Sequence, residues 1–206
     1  MRITETFTSL QGEGLKMGVP TYFIRTAGCN LDCSWCDTKY AFGEGTERDI
    51  RDLVRECNVS HVCVTGGEPM LQDELPELIG LLLSEGKHIV LETNGSVDIS
   101  NLPKDGNLMI SMDVKCPSSG MSDRTILSNL RNLTMKDQLK FIIEDNGDFE
   151  YAVETLKKHS PETNVIFSPV GGMNLKPLAE EVLSRGLDVR VLPQLHKIIW
   201  GDKRSV

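Results

Sequence analysis

The sequence predicts an α/β fold built around a mainly parallel sheet, and three observations support this. From Thr21 onward, short apolar or β-branched runs alternate with longer amphipathic stretches, which is the pattern of consecutive βα units. Clusters of Gly, Pro, Cys and charged residues follow the ends of the apolar runs, where parallel α/β folds place their active sites. The chain has 206 residues, of which 39% are hydrophobic, so a single domain spanning residues 1–206 with one core is expected.

Seven strands and five helices are predicted. The strands cover 21–26, 60–65, 88–92, 108–113, 138–143, 164–168 and 188–192, and the helices cover 46–57, 73–85, 122–132, 148–159 and 174–185. Right-handed crossovers would arrange these units as an open doubly wound sheet or as part of a (β/α) barrel, and periodicity does not distinguish the two. The polar C-terminal residues 201–206 are expected to fray.

Composition argues against several kinds of partner. A net charge of −8 without a basic cluster disfavours a nucleic-acid partner. The chain has no apolar run of about 18 residues and no apolar N-terminal leader, so a cytoplasmic protein without a membrane partner is expected. The six cysteines are then expected to be free thiols.

Three of these cysteines form a motif with metal-binding chemistry. Cys29, Cys33 and Cys36 place three thiolates on one predicted loop, whereas a structural zinc site uses four protein ligands. Three ligands leave one metal position open, which suits a 4Fe-4S cluster with one iron free for a small molecule. The alternative is a zinc site completed by a distant ligand such as His61 or Cys63. Cys57, Cys63 and Cys116 are otherwise expected to be core thiols.

The cysteine motif, with Trp35 before its last member, resembles the signature of the radical S-adenosylmethionine (SAM) superfamily. The segment from Thr65 to Pro69 resembles the GGEP element of that superfamily, which holds the methionine part of SAM. Glycines allow a close backbone approach, and the Glu68 carboxylate suits an ammonium group. The resemblance implies a partial (β/α) barrel of about six parallel strands that binds a 4Fe-4S cluster and SAM.

Further motifs resemble the 7-carboxy-7-deazaguanine synthase family over nearly the whole chain. They are the segments 9–14, 23–29, 36–38, 118–121 and 193–197. The resemblance implies a carbon-nitrogen lyase that rearranges 6-carboxy-5,6,7,8-tetrahydropterin into 7-carboxy-7-deazaguanine with loss of ammonia, for queuosine or archaeosine biosynthesis. It also implies Mg2+, a homodimer and an external electron donor such as flavodoxin or ferredoxin.

The same resemblance implies roles for individual residues. Arg25 would bind the substrate carboxylate through its planar fork. Thr38 would contribute a hydroxyl to Mg2+. The remaining substrate contacts are expected from Leu10, Gln11, Gly12, Glu13, Thr65, Gln194 and His196. Contacts with SAM are expected from Trp35, Cys36, Asp37, Gly67, Glu68, Glu92, Thr93, Asn94, Asp113, Val114, Lys115, Ser168, Pro169, Val170 and Gly171.

Two other functions remain open from the sequence. A radical SAM activase of another protein has a similar size and cysteine motif, but the segments 11–14 and 193–197 are not expected there. A zinc-stabilised binding module without catalysis is the alternative from a different class. The chain also departs from its family by having Asp113, Val114 and Lys115 where relatives often have Ser-Pro-Lys, and by continuing to residue 206.

Overall fold

The computed structural model describes residues 1–43 and 45–206, and the described residues form a nine-stranded sheet with five α-helices. In chain order the strands are β1 (Arg2–Leu10), β2 (Pro20–Thr26), β3 (Thr46–Glu47), β4 (His61–Gly66), β5 (His88–Thr93), β6 (Leu108–Val114), β7 (Gln138–Ile143), β8 (Asn164–Pro169) and β9 (Arg190–Val191). The helices are α1 (Ile50–Glu56), α2 (Leu75–Ser84), α3 (Asn146–His159), α4 (Leu175–Ser184) and α5 (Leu195–Trp200).

The strand order identifies the sheet as an open partial barrel. Seven strands, β2 and β4 to β9, run parallel and lie side by side in chain order. A doubly wound sheet would reverse its strand order at a switch point, and this sheet does not. The edge strands β3 and β9 do not pair with each other in the described part of the chain. The predicted partial barrel is confirmed, with seven parallel strands instead of about six because the two-residue β9 joins β8.

Alternation along each strand separates an outer core from an inner layer. Outward side chains such as Ile24, Val64 and Leu91 pack in the main hydrophobic core with the helices. The inner layer begins with a small apolar cluster of Phe23, Cys63, Val90 and Met109, followed towards the C-terminal strand ends by polar and charged side chains. The interior is therefore closed by apolar groups at one end and chemically active at the other.

Local sequence explains where the long helix α3 begins and ends. The side chain of Asp145 accepts a hydrogen bond from the Asp148 backbone nitrogen at 3.0 Å, which is an N-cap interaction. Lys157, Lys158 and His159 occupy the last turn, where positive charge complements the helix dipole. Ser160 then adopts a left-handed conformation with φ of 42° and terminates the helix.

Two predictions about elements are wrong, and one strand was missed. Residues 122–132 form short 3-10 turns, because the buried Asn129 side chain bonds to the carbonyls of Gly95 and Val97 instead of facing solvent on a helix. The long strand β1 was not predicted, and β3 occupies the start of the predicted helix 46–57. The fraying of residues 201–206 stays a prediction; in the structure Ser205 donates a hydrogen bond of 2.7 Å to Glu5.

The described residues include no helix of the length and apolar character that a membrane span requires.

Candidate active site

A cavity of about 450 Å³ opens at the C-terminal ends of the parallel strands. Its walls carry the cysteine loop, the loop at 10–13, the ends of β4 to β8, and the C-terminal segment from Gln194 onward. This volume falls within the usual range for small-molecule sites. The edge of the sheet that the sequence predicts as functional is therefore the edge with the cavity.

The three cysteines of the motif all reach the cavity wall. The Cys29 sulfur receives N–H groups from Leu31 at 3.5 Å and Asn94 at 3.7 Å. Burial raises the pKa of the Cys29 and Cys33 thiols, while the nearby Lys115 ammonium counteracts this at Cys33. Sulfurs with amide donors and a neighbouring cation suit a thiolate-bound iron-sulfur cluster.

Trp35 anchors this loop to the segment that follows β6. Its indole nitrogen donates to the Ser118 hydroxyl at 3.1 Å, and the Ser34 hydroxyl donates to the Ser118 carbonyl at 2.7 Å. Ser118 is itself held by Asp148, which is fully buried and accepts from both the Ser118 nitrogen and hydroxyl. The position of the cysteine loop therefore depends on a buried carboxylate at the start of α3.

The Gly-Gly turn after β4 lies directly against the cysteine loop. Gly66 has a φ of 148°, which favours glycine, and a Cβ atom at Gly67 would lie 2.0 Å from the Gly28 carbonyl oxygen. Glu68, predicted to face SAM, is instead fully buried and is not on the cavity wall. Its carboxylate accepts from the Thr93 hydroxyl at 2.8 Å and from the Asn94 nitrogen at 2.6 Å, so it braces the end of β5. Burial raises the pKa of Glu68 to about 7.

A chain of charged groups crosses the interior below the cavity. Glu13 contacts the Lys140 ammonium, which lies 3.5 Å from Asp113, and Asp113 in turn bonds Lys115 at 2.7 Å. Lys115 lies 5.7 Å from the centre of the Trp35 ring. This row of charged side chains thus connects the loop at 10–13, which is predicted to bind substrate, with the cysteine loop.

Glu92 is a third partly buried carboxyl group, and it lies beside this row of charges. It accepts a hydrogen bond of 2.9 Å from the Thr65 hydroxyl on the neighbouring strand. Burial raises the pKa of Glu92, and the nearby Glu13 carboxylate adds to the shift.

Arg25 is held on the opposite wall by a carboxylate that the sequence analysis missed. Its Nε donates to Glu5 at 2.7 Å, and the Tyr40 hydroxyl donates to the same Glu5 oxygen at 2.9 Å. Burial alone would lower the pKa of Arg25, but Tyr40 and Glu5 raise it, so the guanidinium stays charged. The Arg204 guanidinium lies 3.6 Å from the centre of the Tyr40 ring, so the C-terminal segment closes this side of the cavity.

The loop at 10–13 packs against the C-terminal segment. This contact brings together the two segments that are predicted to bind substrate. The Leu195 nitrogen donates to the Gly12 carbonyl at 2.8 Å, and the Gln194 amide donates to Glu13 at 2.7 Å. His196 lies so close that a Cβ atom on Gly12 would be 2.2 Å from its Nδ1.

Most of the predicted site residues lie on the cavity wall, and three do not. Glu68 braces β5, Val114 points into the outer core, and the Ser168 hydroxyl donates to the Leu192 carbonyl at 2.8 Å. The remaining predicted residues line the cavity: Leu10, Gln11, Gly12, Glu13, Arg25, Cys29, Cys33, Trp35, Cys36, Asp37, Thr38, Thr65, Gly67, Glu92, Thr93, Asn94, Asp113, Lys115, Pro169, Val170, Gly171, Gln194 and His196.

Lys140, Tyr40 and the C-terminal residues also line the cavity but were not predicted. A lysine within a mostly apolar strand could have indicated Lys140, because an inward charge needs a partner. No comparable signal marks the C-terminal residues.

The zinc alternative finds no support in this geometry. Cys63 lies in the inner apolar cluster, and His61 lies at the start of β4, away from the cysteine loop.

The open parallel barrel and its cysteine loop define a radical SAM protein. A family model described as the radical SAM superfamily matches residues 23–172. In the crystal structure of QueE from Escherichia coli the fold is similar, with a TM-score of 0.77 and 24% identity over 95% of this chain and 94% of that one. The prediction of a radical SAM enzyme is confirmed, and membership of the superfamily implies a 4Fe-4S cluster and SAM.

Relatives specify the family within this class. A 7-carboxy-7-deazaguanine synthase from Thermoplasma acidophilum is 40% identical over 209 residues, covering 100% of both chains. Another from Methanospirillum hungatei is 44% identical over 204 residues, covering 97% of this chain and 85% of the relative. The chain therefore belongs to the 7-carboxy-7-deazaguanine synthase family, which confirms the resemblance seen in its motifs.

Proposed function

We propose that the protein is a carbon-nitrogen lyase of 7-deazapurine biosynthesis, on the path to queuosine or archaeosine. It converts 6-carboxy-5,6,7,8-tetrahydropterin to 7-carboxy-7-deazaguanine and ammonia. The observation that carries this proposal is that Arg25, Glu13 and Gln194 share one cavity with the three-cysteine loop. A small acid with a guanine-like edge and a cluster-bound cofactor would meet there. The relatives named 7-carboxy-7-deazaguanine synthase match this chain over nearly its full length, which favours this reaction over activation of another protein.

The cofactor end of the cavity has the donors that the implied groups need. Cys29, Cys33 and Cys36 would hold three corners of a 4Fe-4S cluster, leaving the fourth iron for the amino and carboxylate groups of SAM. The close approach of Gly67 to the loop leaves its backbone on the wall beside Cys29. When bound, these groups supply the radical chemistry that removes a hydrogen atom from C6 of the substrate.

The substrate end of the cavity offers complementary groups. Since Glu5 engages Nε of Arg25, the two terminal nitrogens of the fork are those that would grip the substrate carboxylate. Glu13 would accept N–H donors from the amino-pyrimidinone edge of the pterin. The C-terminal residues from Lys203 to Val206 would cover the bound substrate and limit access of water.

The atom and electron balance of the reaction requires no co-substrate beyond the groups proposed for this site. Product and ammonia together contain all the atoms of the substrate, so the ring contraction needs no net oxidant. A cofactor that takes a hydrogen atom and later returns it satisfies this balance. SAM would then be regenerated in each cycle.

Several finer features also belong to the proposal. The Thr38 hydroxyl, which lies 3.6 Å from the Cys36 sulfur on the cavity wall, would bind Mg2+ together with substrate oxygens and water. Residues 1–206 would act as a single domain within a homodimer, reduced by a flavodoxin or ferredoxin. The free cysteines suit a reducing compartment, the cytoplasm.

The test is an anaerobic assay with purified, cluster-reconstituted protein, a reductant, SAM, Mg2+ and the carboxylated tetrahydropterin. Formation of 7-carboxy-7-deazaguanine, detected by mass spectrometry, is the expected result. The Arg25→Lys variant keeps the charge but lacks the fork, so it should bind SAM normally and form much less product. A wild-type protein that cleaves SAM without forming the deazaguanine would refute the proposal.

A further inference from the structure

Lys140 is a buried lysine in the middle of β7. None of the substrate, cofactor or metal contacts expected from the sequence involves it. Its side chain is 7% exposed and points to the inside of the barrel. It contacts the Glu13 carboxylate and lies 3.5 Å from Asp113. Burial alone would lower the pKa of Lys140, but Asp113, Glu13 and Glu92 together raise it well above its ordinary value, so the ammonium is charged.

An apolar side chain would fill this position at a lower cost in desolvation. Burying an ion pair carries a large desolvation cost for each ion, and replacing such a pair by packed apolar groups is often neutral or stabilising. The stability of the barrel therefore does not require a lysine here. Its ammonium instead meets a carboxylate that faces the substrate cavity.

The hydrogen bonds of Glu13 show what the lysine achieves. One carboxylate oxygen accepts from the Gln194 amide at 2.7 Å, and the other accepts from Lys140. A carboxylate offers about four acceptor positions, so one position on each oxygen remains for a ligand in the cavity. Two parallel acceptors match two neighbouring N–H donors on a planar ring.

We propose that Lys140 is a positioning residue that keeps Glu13 oriented and negatively charged to accept the paired N–H donors of the pterin edge. This inference rests on the proposed function, because it takes the pterin as the ligand of Glu13. Lys140 also lines the cavity, and in this arrangement it acts through the Glu13 carboxylate that it contacts.

The charges around Glu13 show why it needs this cation. Glu92 on β5 and Asp113 on β6 are carboxyl groups that face it, Gln194 is neutral, and His196 packs on the adjacent Gly12. The other cation in this row of charged groups, Lys115, is bonded to Asp113. Burial would raise the pKa of Glu13, and the Lys140 ammonium reverses this and lowers it. Without Lys140, Glu13 should take up a proton and lose half of its acceptor pair.

The test measures binding of pterin-6-carboxylate, a fluorescent oxidised pterin that cannot undergo the ring contraction, to reconstituted protein with SAM and Mg2+. Lys140→Met should raise the Kd at least about tenfold at neutral pH. In this variant the Kd should fall as the pH is raised from acidic to mildly alkaline values, because Glu13 then loses its proton. In the wild type, where the pKa of Glu13 is lowered, the Kd should change much less over this range.

A double-mutant cycle tests whether Lys140 acts through Glu13. Adding Lys140→Met to Glu13→Gln should change the Kd by less than about twofold, because the charge that the lysine serves is already absent. The matched control is Lys87→Met, since the Lys87 ammonium also donates to part-buried carbonyls, those of Cys57 and Val59 at 2.9 Å, but lies off the cavity wall. This control should bind the probe like the wild type.

The outcomes of these binding measurements separate the role of Lys140 from the proposed function. If Lys140→Met does not fold by circular dichroism, the milder Lys140→Gln replaces it with the same expectation. A Kd equal to the wild type, or a full additional loss in the Glu13→Gln background, overturns the role of Lys140 while the proposed function stands. A wild-type protein that neither binds the probe nor forms the deazaguanine overturns both.

Discussion

Replacing Asp148 with asparagine should destabilise the protein and loosen the cysteine loop. The Asp148 carboxylate is fully buried and accepts three hydrogen bonds, from the Ser118 nitrogen at 2.9 Å, the Ser118 hydroxyl at 2.5 Å and the Glu144 nitrogen at 2.9 Å. An asparagine has a single acceptor oxygen, so whichever way its amide is turned, one of the two backbone N–H groups meets an NH2 group. Ser118 can rotate its hydroxyl to compensate, but the backbone cannot.

The magnitude follows from that lost acceptor. A buried N–H without a partner costs about 1 to 3 kcal/mol. The remaining bonds lose the assistance of the negative charge, which brings the expected loss to about 2 to 3 kcal/mol. For a chain of this length such a loss lowers the Tm by about 4 to 12 °C.

The assay is thermal unfolding of the cluster-free protein under reducing conditions, followed by circular dichroism. Asp145→Asn is the matched control, because it removes the same charge from the same helix turn at an exposed position and keeps a good N-cap residue. Since Ser118 holds Trp35, the reconstituted Asp148→Asn protein should also lose its iron to a chelator faster than the control. Equal Tm values and equal iron loss in the two variants would refute the reasoning.

Three further predictions concern the cluster, the buried glutamate and the C-terminal residues. Cys33→Ala should remove the iron, sulfide and brown colour of the reconstituted protein, whereas Cys63→Ala, which alters the inner apolar cluster, should keep them. Because burial raises the pKa of Glu68 from 4.5 to about 7, the folded protein holds a proton that the unfolded chain releases. The free energy of unfolding should therefore fall by up to roughly 3 kcal/mol as the pH rises through this range, and Glu68→Gln should reduce that slope in urea titrations. Arg204→Ala removes the cation over Tyr40 and should raise the KM for the pterin about two- to fivefold in steady-state assays; an unchanged KM would show that the C-terminal residues do not cover the substrate.

The sequence predicted the parallel strands and the cysteine loop well because both depend on local information. Runs such as 60–65 and 138–143 are apolar enough to be buried on both faces, and the structure places strands there within one residue. The helix over 122–132 failed because Asn129 bonds to carbonyls more than 30 residues away, and such contacts leave no periodic signal.

The amino-acid sequence by itself determined the superfamily, the family and most of the residues that meet at one end of the sheet. Three thiols within eight residues and a Gly-Gly turn can be recognised in the sequence because each is continuous along the chain. Only the tertiary structure decided that Glu68 faces away from the cavity, that Glu5 holds Arg25, and that Lys140 contacts Glu13. These pairings join residues from different strands and loops, up to 127 positions apart for Glu13 and Lys140. Barrel curvature and register set which side chains meet inside, and neither is encoded in any single segment.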